Sequence, residues 1–180
     1  MSDKKRRLLQ WTVGYTKTEL ERAQEKWQIQ FPPDLLELLL ERKPVFEEAG
    51  LIDWMKTPAD EIEKRLRWPF EGLWFDVENA GLWLPAWGEK PIDEVERKTR
   101  LKEIVDAAPT LIPIFIHRYI PAHPIEEGNP VFSVWQSDII YYGSNIENYF
   151  EVEFADGTLP DQTSAYKYIE FWSQFALGEV

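Results

Sequence analysis

Residues 111–142, LIPIFIHRYIPAHPIEEGNPVFSVWQSDIIYY, read as two hydrophobic β-strands joined by a long polar loop, with a third short strand directly after. Leu111–Ile120 is almost unbroken Leu, Ile, Phe and Tyr, the composition of a strand covered on both faces. Pro121, Pro124, Gly128 and Asn129-Pro130 then break the backbone. Val131–Trp135 resumes as a strand around Ser133, and Ile139–Tyr142 is β-branched and aromatic again. The sheet therefore lies late in the chain, and the rest has to wrap it.

Upstream the pattern is helical. Thr16-Lys17-Thr18-Glu19 fits a capping box that opens a helix to about Gln28, with Leu20, Ala23, Gln24 and Trp27 on one face. Phe31-Pro32-Pro33-Asp34 starts a second helix, with Pro suited to its first turn and Asp to the positive end of its dipole. Leu35, Leu36, Leu38, Leu39 and Leu40 make that helix apolar nearly all round, hence buried, and Lys43-Pro44 ends it. A third helix begins at Thr57-Pro58 and runs to Leu66 or Arg67, where Trp68-Pro69 stops it. Gly72–Gly88, with its Trp, Gly and Pro, predicts a structured aromatic loop on the sheet. Ile92–Ala108 is the most polar helix, with opposite charges alternating along a solvated face. Downstream of the sheet, Ile146–Phe154 reads as a short helix or a strand. Ser164–Leu177 closes the chain as an amphipathic helix with Tyr168, Phe171, Trp172 and Phe175 inward. The class is α+β, one domain over residues 16–180 with a mostly antiparallel sheet, behind a basic N-terminal tail over 1–15.

Composition bounds the function. A chain of 180 residues buries roughly 70% of its unfolded surface as one domain. Without cysteine it has no disulfide framework, thiol nucleophile or thiolate metal site. It has no apolar run long enough to span a membrane, and no apolar segment after the basic N-terminus to make a signal peptide, so a cytoplasmic protein is expected. The net charge of −12 is unevenly spread: residues 1–7 carry +3 and residues 109–180 carry −8. So acidic a body repels nucleic acid and anionic membranes and favours basic protein partners.

No constellation of catalytic or metal-binding residues stands out. His117 and His123, the only histidines, lack a paired-ligand spacing, and position 117 reads as a packed histidine. Ser133, His117 and Asp138 could be assembled into a triad, but no Gly-x-Ser-x-Gly elbow accompanies them. No phosphate-binding glycine loop is present. Asp76 and Glu78 among Trp74, Trp83 and Trp87 are the best carboxylates for a sugar-directed site. An interaction surface is the other reading: Glu126 and Glu127 at the loop between strands, Asp138 in the next turn, and Tyr141 and Tyr142 on a strand. Aromatics flanked by acids suit a hot spot for a partner rich in Lys and Arg.

Several short motifs resemble the SUKH superfamily, which includes the Smi/Knr proteins. Phe31-Pro32-Pro33-Asp34-Leu35-Leu36-Glu37-Leu38-Leu39 resembles its Leu-Pro-x-Asp helix, and Leu111-Ile112-Pro113-Ile114 the start of its central strand. Gly128-Asn129-Pro130-Val131 stands where members often have Gly-Asp, and Ile139–Tyr142 with Tyr149-Phe150 and Phe154 resembles the ending. The chain departs from the pattern at Glu41-Arg42-Lys43-Pro44, where members often have Asn-Gly-Gly, and in a longer segment from Ile52 to Ala108. The resemblance implies an α+β domain with helices around a mostly antiparallel sheet and a non-enzymatic function; the residues themselves lead to no expected cofactor or metal. Bacterial members are similar to immunity proteins that bind and neutralise toxin domains, many of them nucleases; fungal members regulate cell-wall assembly. The expected function is thus an immunity protein with a basic toxin domain as partner. The alternatives are an intracellular regulator or scaffold, and a carbohydrate-binding protein that uses the Trp-rich section.

Overall fold

The computed structural model describes residues 10–45, 50–161 and 165–179. The chain is α+β, with two antiparallel sheets. The larger sheet has four strands in sequence order, β3 (Leu111–Phe115), β4 (Arg118–Pro121), β5 (Val131–Trp135) and β6 (Asp138–Gly143). The smaller pairs β1 (Gln10–Val13) with β2 (Arg42–Val45). Between those two strands run α1 (Lys17–Trp27) and α2 (Pro33–Glu41); α3 (Ala59–Asn79) and α4 (Glu94–Ala107) precede the larger sheet, and α5 (Ile146–Phe154) and α6 (Trp172–Ala176) follow it.

The continuous apolar run at 111–120 is two strands rather than one. Ile116 takes a left-handed conformation (φ 46°) and turns the chain back on itself. Both strands of the resulting hairpin are largely buried, and the turn at Ile116-His117 holds no Gly, Pro, Asn or Asp to mark it. Only the backbone betrays it: the carbonyl of Ile116 accepts from the Arg65 guanidinium, which ties the turn to α3. The outer edge of β3 is closed by Gly50–Ile52, with the Ile52 N–H donating to Ile114 at 3.3 Å and the Ile116 N–H to Gly50 at 3.0 Å.

Side chains alternate across this sheet and feed two cores. Ile112, Ile114, Ile120 and Val131 pack with Leu20 of α1, Leu35 and Leu39 of α2, and Tyr149 of α5. Leu111, Tyr119, Phe132, Val134 and Ile139 pack on the opposite face with Leu73 and Val77 of α3, Leu101 of α4, and Trp172 and Phe175 of α6. Strands β3, β4 and β5 are covered on both faces, which is why their sequences show little polar alternation, whereas β6 leaves Ile140 half exposed.

Helix α3 does not stop at Trp68-Pro69 but continues to Asn79. Proline has no N–H for the carbonyl four residues back, which normally leaves that acceptor empty. Here the Tyr119 hydroxyl of β4 donates to the Arg65 carbonyl at 2.9 Å, and the Trp68 indole N–H donates to the Val134 carbonyl at 3.1 Å. The sheet thus supplies what the helix loses. Residues 72–79, expected in an aromatic loop, are therefore helical; irregular backbone follows, with one 3-10 turn at Pro85–Trp87.

The same helix crosses the end of the sheet where both hairpins turn. A Cβ on Gly72 would lie 2.9 Å from the Cα of Gln136, so glycine permits the close approach. One turn on, the buried Asp76 accepts the N–H of Ser137 at 2.9 Å and also its hydroxyl. The closing helix is shorter than the pattern suggested, Trp172–Ala176, and Tyr168 is half exposed rather than inward. Residue 164, where that helix was expected to start, lies outside the described residues, as do residues 1–9 with Lys4–Arg7. The last part of the segment read as a basic tail is strand β1.

Candidate functional site

The capping box of α1 forms as its residues require: the Thr16 side chain accepts from the Glu19 N–H, and Glu19 returns to the Thr16 N–H at 2.7 Å. This anchors the chain just after β1 and sets β1 beside β2, directly at the end of α2. Opposite α2 lies α5, whose first turn is closed by Asn145 accepting the Asn148 N–H at 2.8 Å. Between them the loop 122–130 is fastened to the start of α2, because Asp34 accepts the Gly128 N–H at 2.9 Å.

These elements enclose a groove with two connected parts. The first, about 490 Å³, is lined by Asp34, Glu37, Glu41, Glu127 and Glu147. The second, about 430 Å³, is lined by Trp11, Leu38, Phe150 and Phe154, with Glu151 at its side. Leu38, Arg42 and Glu147 border both. The sequence spacing explains the arrangement. Glu37 and Glu41 are four apart on α2, as are Glu147 and Glu151 on α5, so each pair forms a stripe on its helix. Phe150 and Phe154 form the parallel apolar stripe, stacked at 5.9 Å.

Like charges four apart disfavour a helix by roughly 0.2–0.5 kcal/mol per pair. None of Glu37, Glu41, Glu127, Glu147 and Glu151 has a salt bridge among the described residues to offset this. Most acids with ion pairs lie elsewhere, such as Glu78 with Arg97 at 2.8 Å and Asp106 with Lys102 at 2.6 Å. Among the described residues, the one cation lining the groove, Arg42, lies over the Trp11 ring at 4.5 Å instead of on a carboxylate. Trp11 itself meets Phe150 edge-on at 5.0 Å. Among the described residues no three His, Asp or Glu side chains converge as ligands for a metal ion. The negative charge is spread along a groove, a form that suits an extended cationic chain.

Of the five residues singled out from the sequence for partner binding, Glu127 lines this groove. Glu126, beside it, is ion-paired to Lys167 at 3.3 Å, and the same ammonium donates to the Glu127 carbonyl at 2.7 Å. Asp138 is exposed at the far end of the sheet, in the β5–β6 hairpin. Tyr141 and Tyr142 are adjacent on β6 and so face opposite ways. Tyr141 packs on Phe132 and Tyr166 and donates to the Ser173 hydroxyl at 2.7 Å. Tyr142 lies under the Arg118 guanidinium at 3.6 Å. The five do not form one surface. Glu37, Glu41, Glu147 and Glu151 were missed, although the repeated i, i+4 acids on otherwise apolar helices are visible in the sequence.

The other candidates are engaged in packing. The Ser133 hydroxyl accepts from Arg118 at 2.8 Å, and His117 stands edge-on to Trp135 at 5.9 Å, so no Ser–His–Asp relay forms. Arg118 is also paired to Glu153 at 3.1 Å, both partly buried. Asp76 holds Ser137 and Glu78 holds Arg97, on different faces of α3, while Trp83 and Trp87 pack edge-on at 5.5 Å. No known family profile, no curated protein and no solved structure matches this chain significantly. No helix among the described residues is long and apolar enough to cross a membrane.

Proposed function

We propose that this chain is a non-enzymatic, cytoplasmic binding protein that captures a basic protein partner in the α2–α5 groove, and that it acts as an immunity protein neutralising a toxin domain. The observation that carries the reading is the set of groove carboxylates that have no ion pair among the described residues, an arrangement of like charges that a bound cation would relieve. The net charge of −12 acts in the same direction, raising the association rate with a basic partner and lowering it with acidic ones. Nucleases carry cationic surfaces for their substrate, so an acidic inhibitor meets them with complementary charge. The resemblance to SUKH proteins supports the same reading. Two of its segments, Phe31–Leu39 and Gly128–Val131, meet at the groove through the Asp34–Gly128 hydrogen bond.

The test is affinity capture from native lysate at low and then high salt, followed by inhibition of the captured partner's activity. A basic partner with a toxin-like domain, released by salt and inhibited in the complex, is the expected result. A neutral or acidic partner, or one held equally at both salt concentrations, would contradict the reading.

A further inference from the structure

Resting on the reading of a binding protein for a basic partner, we infer that the groove seats one short amphipathic segment of that partner: Lys or Arg at one end and an aromatic or aliphatic anchor at the other. The groove is graded. Its acidic part lies at the start of α5, around Asn145–Glu147, and its apolar part runs along the body of that helix to Phe154. Helix α5 has nine residues, so the wall is about 13 Å long, the span of about four extended residues or between two and three helical turns. Two volumes of 490 and 430 Å³ in series each hold a few side chains of such a segment.

At the apolar end Phe150 belongs to the core and Trp11 beside it stays 36% exposed; among the described residues, the cation over the Trp11 ring is the chain's own Arg42, at 4.5 Å. That contact shows that the ring accepts a guanidinium, and it leaves Arg42 free of any carboxylate among the described residues. Arg42 also sets the order of the segment. It stands where the two parts join, so it repels a basic residue there and directs Lys or Arg outward toward Glu37, Glu41 and Glu147. Charge alone would hold any cationic chain. The apolar half adds a demand for an anchor at a fixed distance.

Three fluorescein-labelled peptides of about nine residues test this: a Lys-Arg pair followed by a Trp-Leu pair, the same peptide with Ser for Trp and Leu, and a scramble that alternates the two kinds. Fluorescence anisotropy at about 50 mM salt is expected to show the first peptide binding at least about tenfold tighter than the other two. Glu37→Lys with Glu147→Lys, both at exposed helical positions, should weaken it at least about tenfold. Trp11→Ser should bring its affinity down to that of the Ser peptide, with the urea midpoint confirming that the variant is folded. Equal binding of all three peptides would overturn the graded segment while leaving the basic-partner reading intact. So would failure of every peptide when the whole partner still binds and is lost with the charge variant. Loss of neither peptide nor partner in that variant would overturn both. Self-association of the chain that blocks the peptides would assign the groove to a second copy and overturn the inference.

Discussion

At the scale of single residues, the clearest roles belong to polar groups that sit where packing would favour apolar ones. Asp76 is 7% exposed, and its carboxylate holds both the N–H and the hydroxyl of Ser137. Asp76→Ala should cost about 2 kcal/mol, because a hairpin N–H then faces the helix without an acceptor. Urea unfolding measures this, and a change within error of zero would show that the hairpin is held by Gly72 and the tryptophans alone. His117 makes a different statement. Burial, with the charges of Arg118 and Arg65 adding, lowers its pKa below the ordinary value. The folded protein therefore favours the neutral ring. Its contribution is whole above about pH 6.5, the unfolded pKa, and is lost as pH falls from there through the lowered folded value. The urea midpoint should drop more between pH about 7.5 and pH about 5.5 in the native chain than in His117→Phe, which keeps a ring against Trp135. Parallel profiles would mean that His117 titrates as freely folded as unfolded.

At the scale of elements, α3 shows how tertiary contacts overrule a local rule. Pro69 reads as a stop, and the helix passes through it because Tyr119 lends a donor to the Arg65 carbonyl. Tyr119→Phe should cost about 1–2 kcal/mol in the native chain and distinctly less with Pro69→Ala, where a backbone N–H takes over the same carbonyl. Equal costs in the two backgrounds, measured as a double-mutant cycle in urea, would show that the hydroxyl does not act through that acceptor. Signals contained in one segment were legible in the sequence. The Thr16–Glu19 capping box, the Pro33 helix start, the late antiparallel sheet and the α+β class all stand in the structure. Signals that depend on a distant partner were not. The Ile116 turn has no turn residue and is held by Arg65 from α3. The pairing of β1 with β2 joins residues on either side of two helices. The groove has the same character: Glu127 stood out from its loop, but Glu37 and Glu147 gain meaning only when α2 and α5 come together.

At the scale of the whole molecule, the two ends of the sheet differ in chemistry. The end with the hairpin turns is crossed by α3 and closed by Trp68, Trp135, Gly72 and Asp76. The opposite end opens into the acidic groove. Charge is thus placed, not merely accumulated, and binding should fall with salt more steeply than net charge at a distance would give. The most direct measurement is a titration of the captured basic partner against three forms of the chain: native, Glu37→Lys with Glu147→Lys, and Glu63→Lys with Glu96→Lys. The second and third carry the same change in net charge, and Glu63 and Glu96 are exposed on α3 and α4, outside the α2–α5 groove. If the groove is the binding site, the groove variant loses at least about a hundredfold in affinity while the other loses a few-fold at most. Equal losses in the two variants would reduce the groove to one part of a diffuse negative field, and the central claim would fail.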